Sequence, residues 1–432
     1  MKLYSTKDKT VFTDFRTAIF KGLPDDNGLF MPETIPTLSD DFFRTLGSLS
    51  FQDIAYSVSR SFLAGAVPDS DLRSIVDQAI NFPAPLVKLD DSLFILELTH
   101  GPTLAFKDFG ARFMAGLMSY FNRDEKDELV ILVATSGDTG GAVAFGFHNV
   151  PGIKVVILYP KGKVSELQEK QLTTLGGNIT AIEVDGSFDD CQHLVKQAFL
   201  DKEFCASRRF SSANSINISR LIPQTFYYFE AVKQLGDRRN IVFSVPSGNF
   251  GNLTAGLIAK RMGLPIMKFI AATNVNDIVP HYLNTGVYVP KSSVETISNA
   301  MDVGNPSNFA RMHDLYGSTW NSIREDVVGY GFTDVETRRA MCEVYNNYNY
   351  VIDPHGAVGV LALNEFKKSM PDVTGVVLET AHPAKFIDEV EQTLDITVVI
   401  PERLEVLRTR EKVAFQSSVD YGEFKSVLIS LI

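Results

Sequence analysis

The sequence predicts an α/β protein built on parallel sheets. From about residue 83 onward, short apolar runs alternate with segments whose apolar residues recur at helical spacing, the pattern of strands and helices that alternate along a chain. Several of the runs are almost wholly apolar, as expected of strands that are covered on both faces. Glycine-containing turns follow two of the runs and lead into helices, and the ligands of open α/β sheets bind at such turns.

The elements of this α/β body can be placed along the chain from these patterns. The predicted strands are Leu93–Leu98, Leu129–Thr135, Ile153–Tyr159, Ile179–Val184, Ile241–Val245, Lys268–Ala272 and Val376–Glu379. Helical spacing is seen, for example, in Gly141–Phe147, Glu166–Leu175, Phe188–Phe199 and Leu253–Met262.

Residues 1–82 are predicted to form a helical cap on this body. The capping residues Ser39 and Asp40 stand just ahead of apolar positions that run on to Leu46. An apolar stripe at helical spacing follows, made of Phe51, Ile54, Ala55, Val58 and Phe62. The segment Phe82-Pro83-Ala84-Pro85 marks the boundary, because two prolines forbid a continuing helix. The body then occupies residues 83–395, and residues 396–432 are predicted to form a charged, helix-like tail packed on it.

Composition narrows the classes of protein and partner. The chain has 432 residues, 45% of them apolar and 22% charged, which is ordinary for a globular protein with ample core. A net charge of −11 without a Lys/Arg-rich run argues against nucleic acid or an anionic membrane as the main partner. The N-terminus lacks the apolar core of a signal peptide, and no uncharged apolar run reaches the ~18 residues of a membrane helix.

The cysteines point to a reduced compartment. Cys191, Cys205 and Cys342 are odd in number and contain no C-x-x-C pair, so structural disulfides and a cysteine-based zinc site are not expected. No other metal site is predicted either. We therefore expect a cytoplasmic protein.

One lysine in apolar company is the candidate for the chemistry. Lys107 lies in the stretch His100-Gly101-Pro102-Thr103-Leu104-Ala105-Phe106-Lys107-Asp108-Phe109-Gly110, after an apolar run and a Gly-Pro turn signal. Burial lowers the pKa of a lysine, and a lysine that loses its proton easily serves as a nucleophile, a Schiff-base former or a proton shuttle. The alternative is a surface lysine paired with Asp108, which residue type alone favours. The motifs further along the chain favour the reactive lysine.

The first glycine-containing turn is a candidate anion site. It reads Ala134-Thr135-Ser136-Gly137-Asp138-Thr139-Gly140-Gly141-Ala142 and follows a strand candidate. Its hydroxyls and the free N–H groups of the next helix make a cradle that suits a carboxylate or a phosphate. Serine, threonine and aspartate are also good helix caps, so a capped helix without a ligand explains this turn equally well.

The second turn, Pro246-Ser247-Gly248-Asn249-Phe250-Gly251-Asn252, favours a phosphate more clearly. Its glycines let the backbone approach a phosphate closely, and the helix N-terminus that follows supplies positive potential. The turn lacks the form G-x-x-x-x-G-K-[ST], and the chain has no G-x-G-x-x-G, which argues against nucleoside triphosphates and dinucleotides. A single phosphate monoester fits better. A tight turn without a ligand is the alternative.

Two further segments carry polar side chains at useful places. Thr380 ends an apolar strand, where a lone hydroxyl can donate one hydrogen bond into a site, and nearby His382 is interpreted as structural. The run Ser211-Ser212-Ala213-Asn214-Ser215-Ile216-Asn217-Ile218-Ser219-Arg220 is dense in donors. Its arginine suits a bidentate phosphate contact, although a polar loop that caps the next helix is the simpler interpretation of the run by itself.

A reactive lysine, a phosphate cradle and a strand-end hydroxyl together meet the needs of pyridoxal phosphate. The lysine forms the Schiff base, the cradle anchors the phosphate, and the hydroxyl meets the ring nitrogen. We know of no other common cofactor that uses this set. A nicotinamide oxidoreductase is not supported, because the glycine fingerprint is missing.

From Tyr4 to about Phe386 the sequence resembles the threonine synthase family, among the pyridoxal-phosphate enzymes of the tryptophan synthase β-like fold (fold type II). Six ordered blocks carry the resemblance. They are His100-Gly101-Pro102-Thr103 with Phe106-Lys107-Asp108, Thr135-Ser136-Gly137-Asp138-Thr139-Gly140, Asn214-Ser215-Ile216-Asn217, Ser247-Gly248-Asn249-Phe250-Gly251, Asn299-Ala300-Met301-Asp302 and Thr380-Ala381-His382-Pro383-Ala384-Lys385. The resemblance implies two open, mostly parallel α/β domains with the site between them.

The resemblance also implies roles for single residues toward the cofactor. Lys107 would carry pyridoxal 5'-phosphate as a Schiff base and act as the general base. The cofactor phosphate would be held by Gly248, Asn249, Phe250 and Asn252. Thr380 would bond the pyridine nitrogen, and a neutral hydroxyl there leaves the ring a weaker electron sink. Asp138 departs from the asparagine that many relatives of this fold carry near the cofactor 3'-hydroxyl, which leaves the partner of that hydroxyl open.

The implied reaction is that of O-phospho-L-homoserine with water to give L-threonine and phosphate, the last step of threonine biosynthesis. By analogy Ser136 and Thr139 would bind the substrate carboxylate, with Thr135 beside them. Ser215 and Arg220 would bind the substrate phosphate, together with Asn214. The alternatives are a serine/threonine dehydratase, a phospho-lyase that yields a keto acid, and an inactive regulatory relative. The donor run argues against the dehydratase, and the complete lysine motif argues against an inactive relative. The sequence leaves monomer or homodimer undetermined.

Overall fold

The computed structural model describes residues 1–206 and 208–432 and confirms the α/β class. Over these residues the strands are β1 (Lys2–Ser5), β2 (Phe12–Asp14), β3 (Phe30–Pro32), β4 (Leu86–Lys88), β5 (Leu93–Glu97), β6 (Leu129–Ala134), β7 (Ile153–Pro160), β8 (Ile179–Val184), β9 (Arg209–Ser212), β10 (Ile241–Pro246), β11 (Lys268–Thr273), β12 (Val327–Gly331), β13 (Thr374–Glu379) and β14 (Phe415–Ser417).

The α-helices lie between and around these strands. They are α1 (Phe15–Lys21), α2 (Asp40–Thr45), α3 (Phe51–Leu63), α4 (Asp69–Ala79), α5 (Lys107–Asn122), α6 (Asp138–Phe147), α7 (Glu166–Thr173), α8 (Phe188–Leu200), α9 (Lys202–Ala206), α10 (Ile218–Leu221), α11 (Phe226–Leu235), α12 (Gly251–Arg261), α13 (Ile278–Thr285), α14 (Phe309–Leu315), α15 (Trp320–Asp326), α16 (Asp334–Tyr348), α17 (Pro354–Lys367), α18 (Ile387–Leu394), α19 (Glu402–Arg408) and α20 (Tyr421–Leu431). Short 3₁₀ turns include Asn299–Met301 and Pro383–Phe386. None of the described helices is both long and apolar enough to cross a bilayer.

A six-stranded sheet forms one half of the body, in the order β12-β11-β10-β13-β5-β4. Its strands pair in parallel except at the edge, where β4 runs antiparallel to β5. The central strands β10 and β13 are buried at every position. Helix α17 packs on one face of this sheet, and α11 and α12 pack on the other. Both faces are therefore apolar, which explains why apolar residues predominate in its central strands.

A five-stranded sheet forms the other half, in the order β14-β8-β7-β6-β9, and all of its pairs are parallel. Strand β6 is buried along its whole length. Helices α5 and α6 cover one face, and α8 and α20 pack on the other. The expected α/β fold with two open, mostly parallel sheets is therefore confirmed.

The seven predicted strands are all present, whereas several edge strands escaped the sequence analysis. Strands β9, β12 and β14 each border a sheet and pair with one neighbour only. An edge strand needs less apolar surface, so β9, with the sequence Arg-Phe-Ser-Ser, carries no apolar pattern that distinguishes it from a loop.

The two ends of the chain are less purely helical than their patterns indicated. The predicted helices α2 and α3 form, with Ser39 and Ser50 as their N-caps. In addition β1 pairs with β2 and β3 in a small antiparallel sheet, so the region before residue 82 is a mixed rather than a helical segment. In the tail, β14 extends the five-stranded sheet at its edge. The division at residues 82/83 and 395/396 stays a prediction.

Candidate active site

A cavity lies between the two sheets, at the carboxyl ends of their strands. The five-stranded sheet contributes the turns after β6, β8 and β9, and the six-stranded sheet contributes those after β5, β10 and β13. All of the predicted site residues line it except Asp138 and Thr135; the lining members are Lys107, Ser136, Thr139, Asn214, Ser215, Arg220, Gly248, Asn249, Phe250, Asn252 and Thr380. Segments far apart in the sequence are thus brought together, as open α/β sheets do at their strand ends.

Two backbone hydrogen bonds between the turn after β5 and the segment that follows β13 position Lys107. The N–H of Phe106 donates to the carbonyl oxygen of Thr380 at 2.9 Å, and the N–H of His382 donates to the carbonyl of Leu104 at 3.0 Å. Leu104 adopts a left-handed φ of 59°, which turns the chain so that α5 begins at Lys107. The lysine and the Thr380 hydroxyl therefore face the same cavity.

The amine of Lys107 meets the requirements for a reactive group. Within residues 1–206 and 208–432 no hydrogen bond or ion pair holds Lys107 Nζ, which lies 5.7 Å from the centre of the Phe106 ring. Burial lowers the pKa of Lys107 to about 8, against the opposing effect of Asp138 and with help from Arg220. A pKa of that size leaves a useful fraction of neutral amine near neutral pH.

The alternative pairing of Lys107 with Asp108 is wrong. Asp108 is fully buried and accepts hydrogen bonds from the hydroxyl of Thr103 at 2.7 Å and from its N–H at 2.8 Å. Burial raises the pKa of Asp108, and the two bonds from Thr103 oppose that effect. Asp108 thus shapes the turn that precedes Lys107 and leaves the amine free.

Asp138 lies behind the cavity wall, in a buried ion pair with Lys385. The Lys385 Nζ is 2.6 Å from Asp138 Oδ1 and also donates to the carbonyl of Thr103 at 3.0 Å. The amide of Gln168 donates to the same carboxylate oxygen at 3.0 Å. The charges of Lys385 and Lys107 hold the pKa of Asp138 below its usual range, although burial opposes them. Its predicted contact with the cofactor stays a prediction, and the carboxylate has these other partners.

Thr135 also differs from its neighbours in the first turn. Its hydroxyl oxygen accepts hydrogen bonds from the N–H groups of Gly137 at 2.9 Å and Gly140 at 2.8 Å, so it caps the start of α6. Among the described residues no hydrogen bond holds the hydroxyls of Ser136 and Thr139, which line the cavity. The capping interpretation therefore applies to Thr135, whereas a ligand on Ser136 and Thr139 stays a prediction.

The second turn has the form of an anion cradle at the start of α12. Phe250 adopts a left-handed φ of 58°, and a Cβ on Gly248 would lie 2.5 Å from the carbonyl oxygen of Ala300, so only glycine fits there. The Asn252 side chain accepts from Ser247 Oγ at 2.8 Å and donates to the carbonyl of Pro246 at 2.8 Å. Asn252 therefore holds the turn in shape, and main-chain N–H groups at the helix start are the available donors.

The donor run after β9 faces this turn from the opposite side of the cavity. Arg220 is buried, donates through Nη1 to the carbonyl of Ala213 at 2.6 Å, and has a buried Nε with no partner. Burial lowers its pKa to about 10. The Asn214 amide is occupied by the carbonyl of Ala134 at 2.9 Å, whereas the Ser215 side chain faces the cavity. A buried cation with an unpaired N–H favours an anionic ligand.

His382, which was interpreted as structural, has a local role. Its Nδ1 accepts from the N–H of Ala384 at 3.1 Å and so begins the 3₁₀ turn that carries Lys385. Burial lowers the pKa of His382 to about 4. The ring is therefore neutral near neutral pH.

Several lining residues escaped the sequence analysis. Gln224 lies one helical turn after Arg220, where its amide donates to the Arg220 carbonyl at 2.7 Å and its Oε1 is buried without a partner. That spacing is a signal the sequence did contain. His355, Phe188, Ala300, Met301 and Val303 also line the cavity. The block Asn299–Asp302 was part of the family resemblance but had no predicted place in the site.

Three family profiles match the chain in order. Residues 79–379 match the family described as pyridoxal-phosphate dependent enzyme. Residues 2–80 match the threonine synthase N terminus, and residues 356–427 match the threonine synthase C-terminal family. The first of these alone spans well over half of the chain.

Full-length relatives agree with these profiles. The chain is 45% identical over 432 residues to the threonine synthase of Haemophilus influenzae, with 99% of this chain and 100% of that protein covered. The crystal structure of threonine synthase from Escherichia coli superposes with a TM-score of 0.93 at 43% identity and covers 100% of both chains. The PLP-bound threonine synthase of Brucella melitensis superposes with a TM-score of 0.93 at 35% identity, covering 100% of this chain and 99% of that one. The chain belongs to the threonine synthase family of pyridoxal-phosphate dependent enzymes.

Proposed function

We propose that this protein converts O-phospho-L-homoserine and water into L-threonine and phosphate, with pyridoxal 5'-phosphate held on Lys107. The observation that carries the proposal is an amine without a partner among the described residues, placed between two separate sets of anion donors in a single cavity. One set is the turn from Ser247 to Asn252, and the other contains Ser215 and Arg220. A cofactor phosphate and a substrate phosphate need two such sets.

The fit to the cofactor rests on the chain's own atoms. Close backbone approach at Gly248 and the start of α12 suit the cofactor phosphate, with Asn249, Phe250 and Asn252 completing the turn. The Thr380 hydroxyl, which no hydrogen bond within the described residues engages, would meet the ring nitrogen. When bound, pyridoxal phosphate supplies an electron sink for negative charge on the substrate carbons.

Lys107 is proposed to move the protons of the reaction. Because its pKa is about 8, its amine can take a proton from the substrate Cα and return one during the same turnover near neutral pH. Loss of protons from Cα and Cβ would let the γ-phosphate leave, Cγ would then take up a proton to become the methyl group, water would add its hydroxyl at Cβ, and Cα would regain its proton.

The substrate is proposed to lie between α6 and the donor run. Ser136 and Thr139, at the start of α6, would bind its carboxylate, since the free N–H groups of that helix add positive potential. Ser215 and Arg220 would bind its phosphate, because the unpaired Nε of Arg220 needs an acceptor. Asn214 supports this wall through its bond to Ala134.

An absorption spectrum and a product assay test the proposal. Wild-type protein should show a cofactor band near the edge of the visible, which Lys107→Ala alters and which the exposed-lysine control Lys163→Ala leaves unchanged. With O-phospho-L-homoserine, wild type should release threonine and phosphate in equal amounts. A keto acid in place of threonine would support a dehydratase or phospho-lyase instead. Full activity of Lys107→Ala would refute the role of the lysine.

We also propose a small-molecule substrate without a protein or nucleic-acid partner in the reaction, and a cytoplasmic location. The location is supported by the thiols of Cys191, Cys205 and Cys342, which are all free.

A further inference from the structure

The segment Ala300–Val303, here called the wall, borders the cavity above the turn Ser247–Asn252, here called the phosphate turn. Ala300, Met301 and Val303 line the cavity beside Gly248. The carbonyl oxygen of Ala300 would lie 2.5 Å from a Cβ on Gly248, so the wall and the turn are in direct contact. The position of this segment therefore limits the space above Gly248 in that turn. Regular secondary structure in the segment is limited to the 3₁₀ turn Asn299–Met301. Its position therefore depends on hydrogen bonds to residues of other elements.

Asp302 anchors one side of this wall. Its Oδ1 accepts from the hydroxyl of Thr296 at 2.7 Å and from the amide of Asn274 at 2.9 Å, and its Oδ2 accepts from the N–H of Thr296 at 3.0 Å. Asn276 adds a further bond to Oδ1 at 3.2 Å. Because Asn274 and Asn276 follow β11, these bonds tie the wall to the strand beside the one that carries the phosphate turn.

His355 anchors the other side. The N–H of Ala300 donates to His355 Nε2 at 3.2 Å, and His355 Nδ1 lies 2.5 Å from the Asp353 carboxylate. Since Nε2 accepts, the ring proton must be on Nδ1, where it is donated to Asp353. The side chains of His355 and Asp353 are only 2% and 0% exposed. The second oxygen of Asp353 accepts from the N–H of Gly356 at 2.7 Å, which fixes the carboxylate at the start of α17.

We propose that His355, oriented by Asp353, is a positioning residue that accepts the Ala300 N–H and so holds the Ala300–Val303 wall against the phosphate turn. A cavity-lining histidine with a carboxylate on its second nitrogen also has the form of a general acid–base pair. Its Nε2 lone pair, however, is already taken by Ala300, which leaves no acceptor for a substrate proton. The effect on the cofactor rests on the proposed function, whereas the hydrogen bond between His355 and Ala300 does not.

Three variants separate these possibilities. His355→Phe keeps the ring and its packing on Phe386 but removes the acceptor, and His355→Gln keeps an acceptor near the position of Nε2. Asp353→Asn keeps the oxygen that Gly356 needs and turns the amide N–H toward Nδ1. The ring proton would then move to Nε2 and face the Ala300 N–H, so this nearly isosteric change should act like His355→Phe. His193→Phe, on an exposed position of α8, is the control.

The readouts are backbone amide exchange of residues 299–303, cofactor affinity and the separate values of kcat and KM, all on the protein as purified with its cofactor. Exchange in residues 299–303 should rise about tenfold in His355→Phe and Asp353→Asn and stay near wild type in His355→Gln. Cofactor affinity should fall about fivefold to tenfold in the same two variants, with rescue in His355→Gln.

Two results would overturn the inference. Unchanged exchange of residues 299–303 in both His355→Phe and Asp353→Asn would show that the bond to Ala300 does not hold the wall. A kcat that collapses in His355→Gln while exchange and cofactor affinity stay at wild-type values would make His355 a catalytic residue. If His355→Phe fails to fold, Asp353→Asn decides alone. If wild type makes no threonine, the proposed function fails, and the exchange measurement still judges the role of His355.

Discussion

Replacing Lys107 by methionine is expected to stabilise the cofactor-free protein, whereas the same change at Lys385 is expected to destabilise it. Both lysines lie in or beside the cavity, but their surroundings differ. Lys107 has no anionic partner within hydrogen-bond distance in the described part of the chain, and burial lowers its pKa from 10.5 to about 8. Lys385 is fully buried and has the Asp138 carboxylate at 2.6 Å.

The size of the first effect follows from the pKa of Lys107. A shift of one pKa unit corresponds to about 1.4 kcal/mol, so keeping this amine charged in the folded protein costs about 3 kcal/mol at pH 7. Because the pKa of the folded state is the lower one, the unfolded chain binds more protons between pH 8 and 10.5. The cost is therefore fully present below about pH 8 and disappears as the pH rises through 10.5, and the gain from Lys107→Met should shrink to about 2 kcal/mol at pH 9.

The opposite sign at Lys385 follows from its partner. Removing one member of a buried ion pair leaves an uncompensated charge, here Asp138, and such losses are about 3–5 kcal/mol. Methionine has a similar length in both positions, so volume changes nearly cancel in the comparison.

Urea unfolding of the cofactor-free variants at pH 7 and pH 9 measures both effects. In thermal unfolding, with an entropy of about 2.1 cal/mol/K per residue over 432 residues, the same 3 kcal/mol corresponds to a change in Tm of roughly 3 °C. A loss of stability in Lys107→Met at pH 7 would refute the reasoning, because it would show that the folded protein does not disfavour the charged amine. A gain in Lys107→Met that is the same at pH 7 and pH 9 would also refute it, since the cause would then be packing alone.

Three further predictions concern residues in and around the cavity. Gly248→Ala should lower cofactor affinity at least tenfold, because its Cβ would lie 2.5 Å from a carbonyl oxygen. The control Gly251→Ala, whose Cβ has its nearest neighbour at 3.5 Å, should bind the cofactor normally. Equal cofactor titration curves for the two variants would count against the close approach at Gly248. Thr135→Val should lower the free energy of unfolding by about 1–2 kcal/mol with KM unchanged, because Thr135 caps α6. Ser136→Ala should raise KM with the free energy of unfolding unchanged. The reverse pattern in urea unfolding and steady-state kinetics would contradict these two roles. Arg220→Lys should raise KM for the phosphorylated substrate about tenfold and spare cofactor binding, and a parallel loss of cofactor in the absorption spectrum would place the arginine on the wrong phosphate.

The central strands were readable from the sequence because they are buried on both faces. Strands such as β6, β10 and β13 have no exposed position, so apolar residues predominate in them. The edge strand β9 has one neighbour and a polar sequence, and its pairing with β6 is set by the sheet rather than by its own residues. The same reason explains why β14 was interpreted as part of a helix-like tail.

Within the site, local chemistry was readable and long-range pairing was not. The motifs around Lys107 and Gly248 consist of neighbours in the sequence, whose spacing already implies a buried amine and a turn before a helix. The bond from Ala300 to His355 joins two segments that no local pattern relates. The same is true of the ion pair between Asp138 and Lys385. No local pattern indicates that the Asp138 carboxylate, which lies in the first glycine-containing turn, pairs with that lysine.

By itself the sequence determined the α/β class and the resemblance to a family, and it predicted a reactive lysine and a phosphate turn, because strand burial, turn chemistry and residue types are local properties. Only the tertiary structure decided which of the predicted groups face the cavity. Thr135 and Asp138 lie in the same turn as Ser136 and Thr139, yet they bond to the protein instead. The physical reason is that a polar side chain binds the nearest partner that folding brings to it. For Thr135 that partner is the start of its own helix, and for Asp138 it is Lys385, from a distant part of the chain.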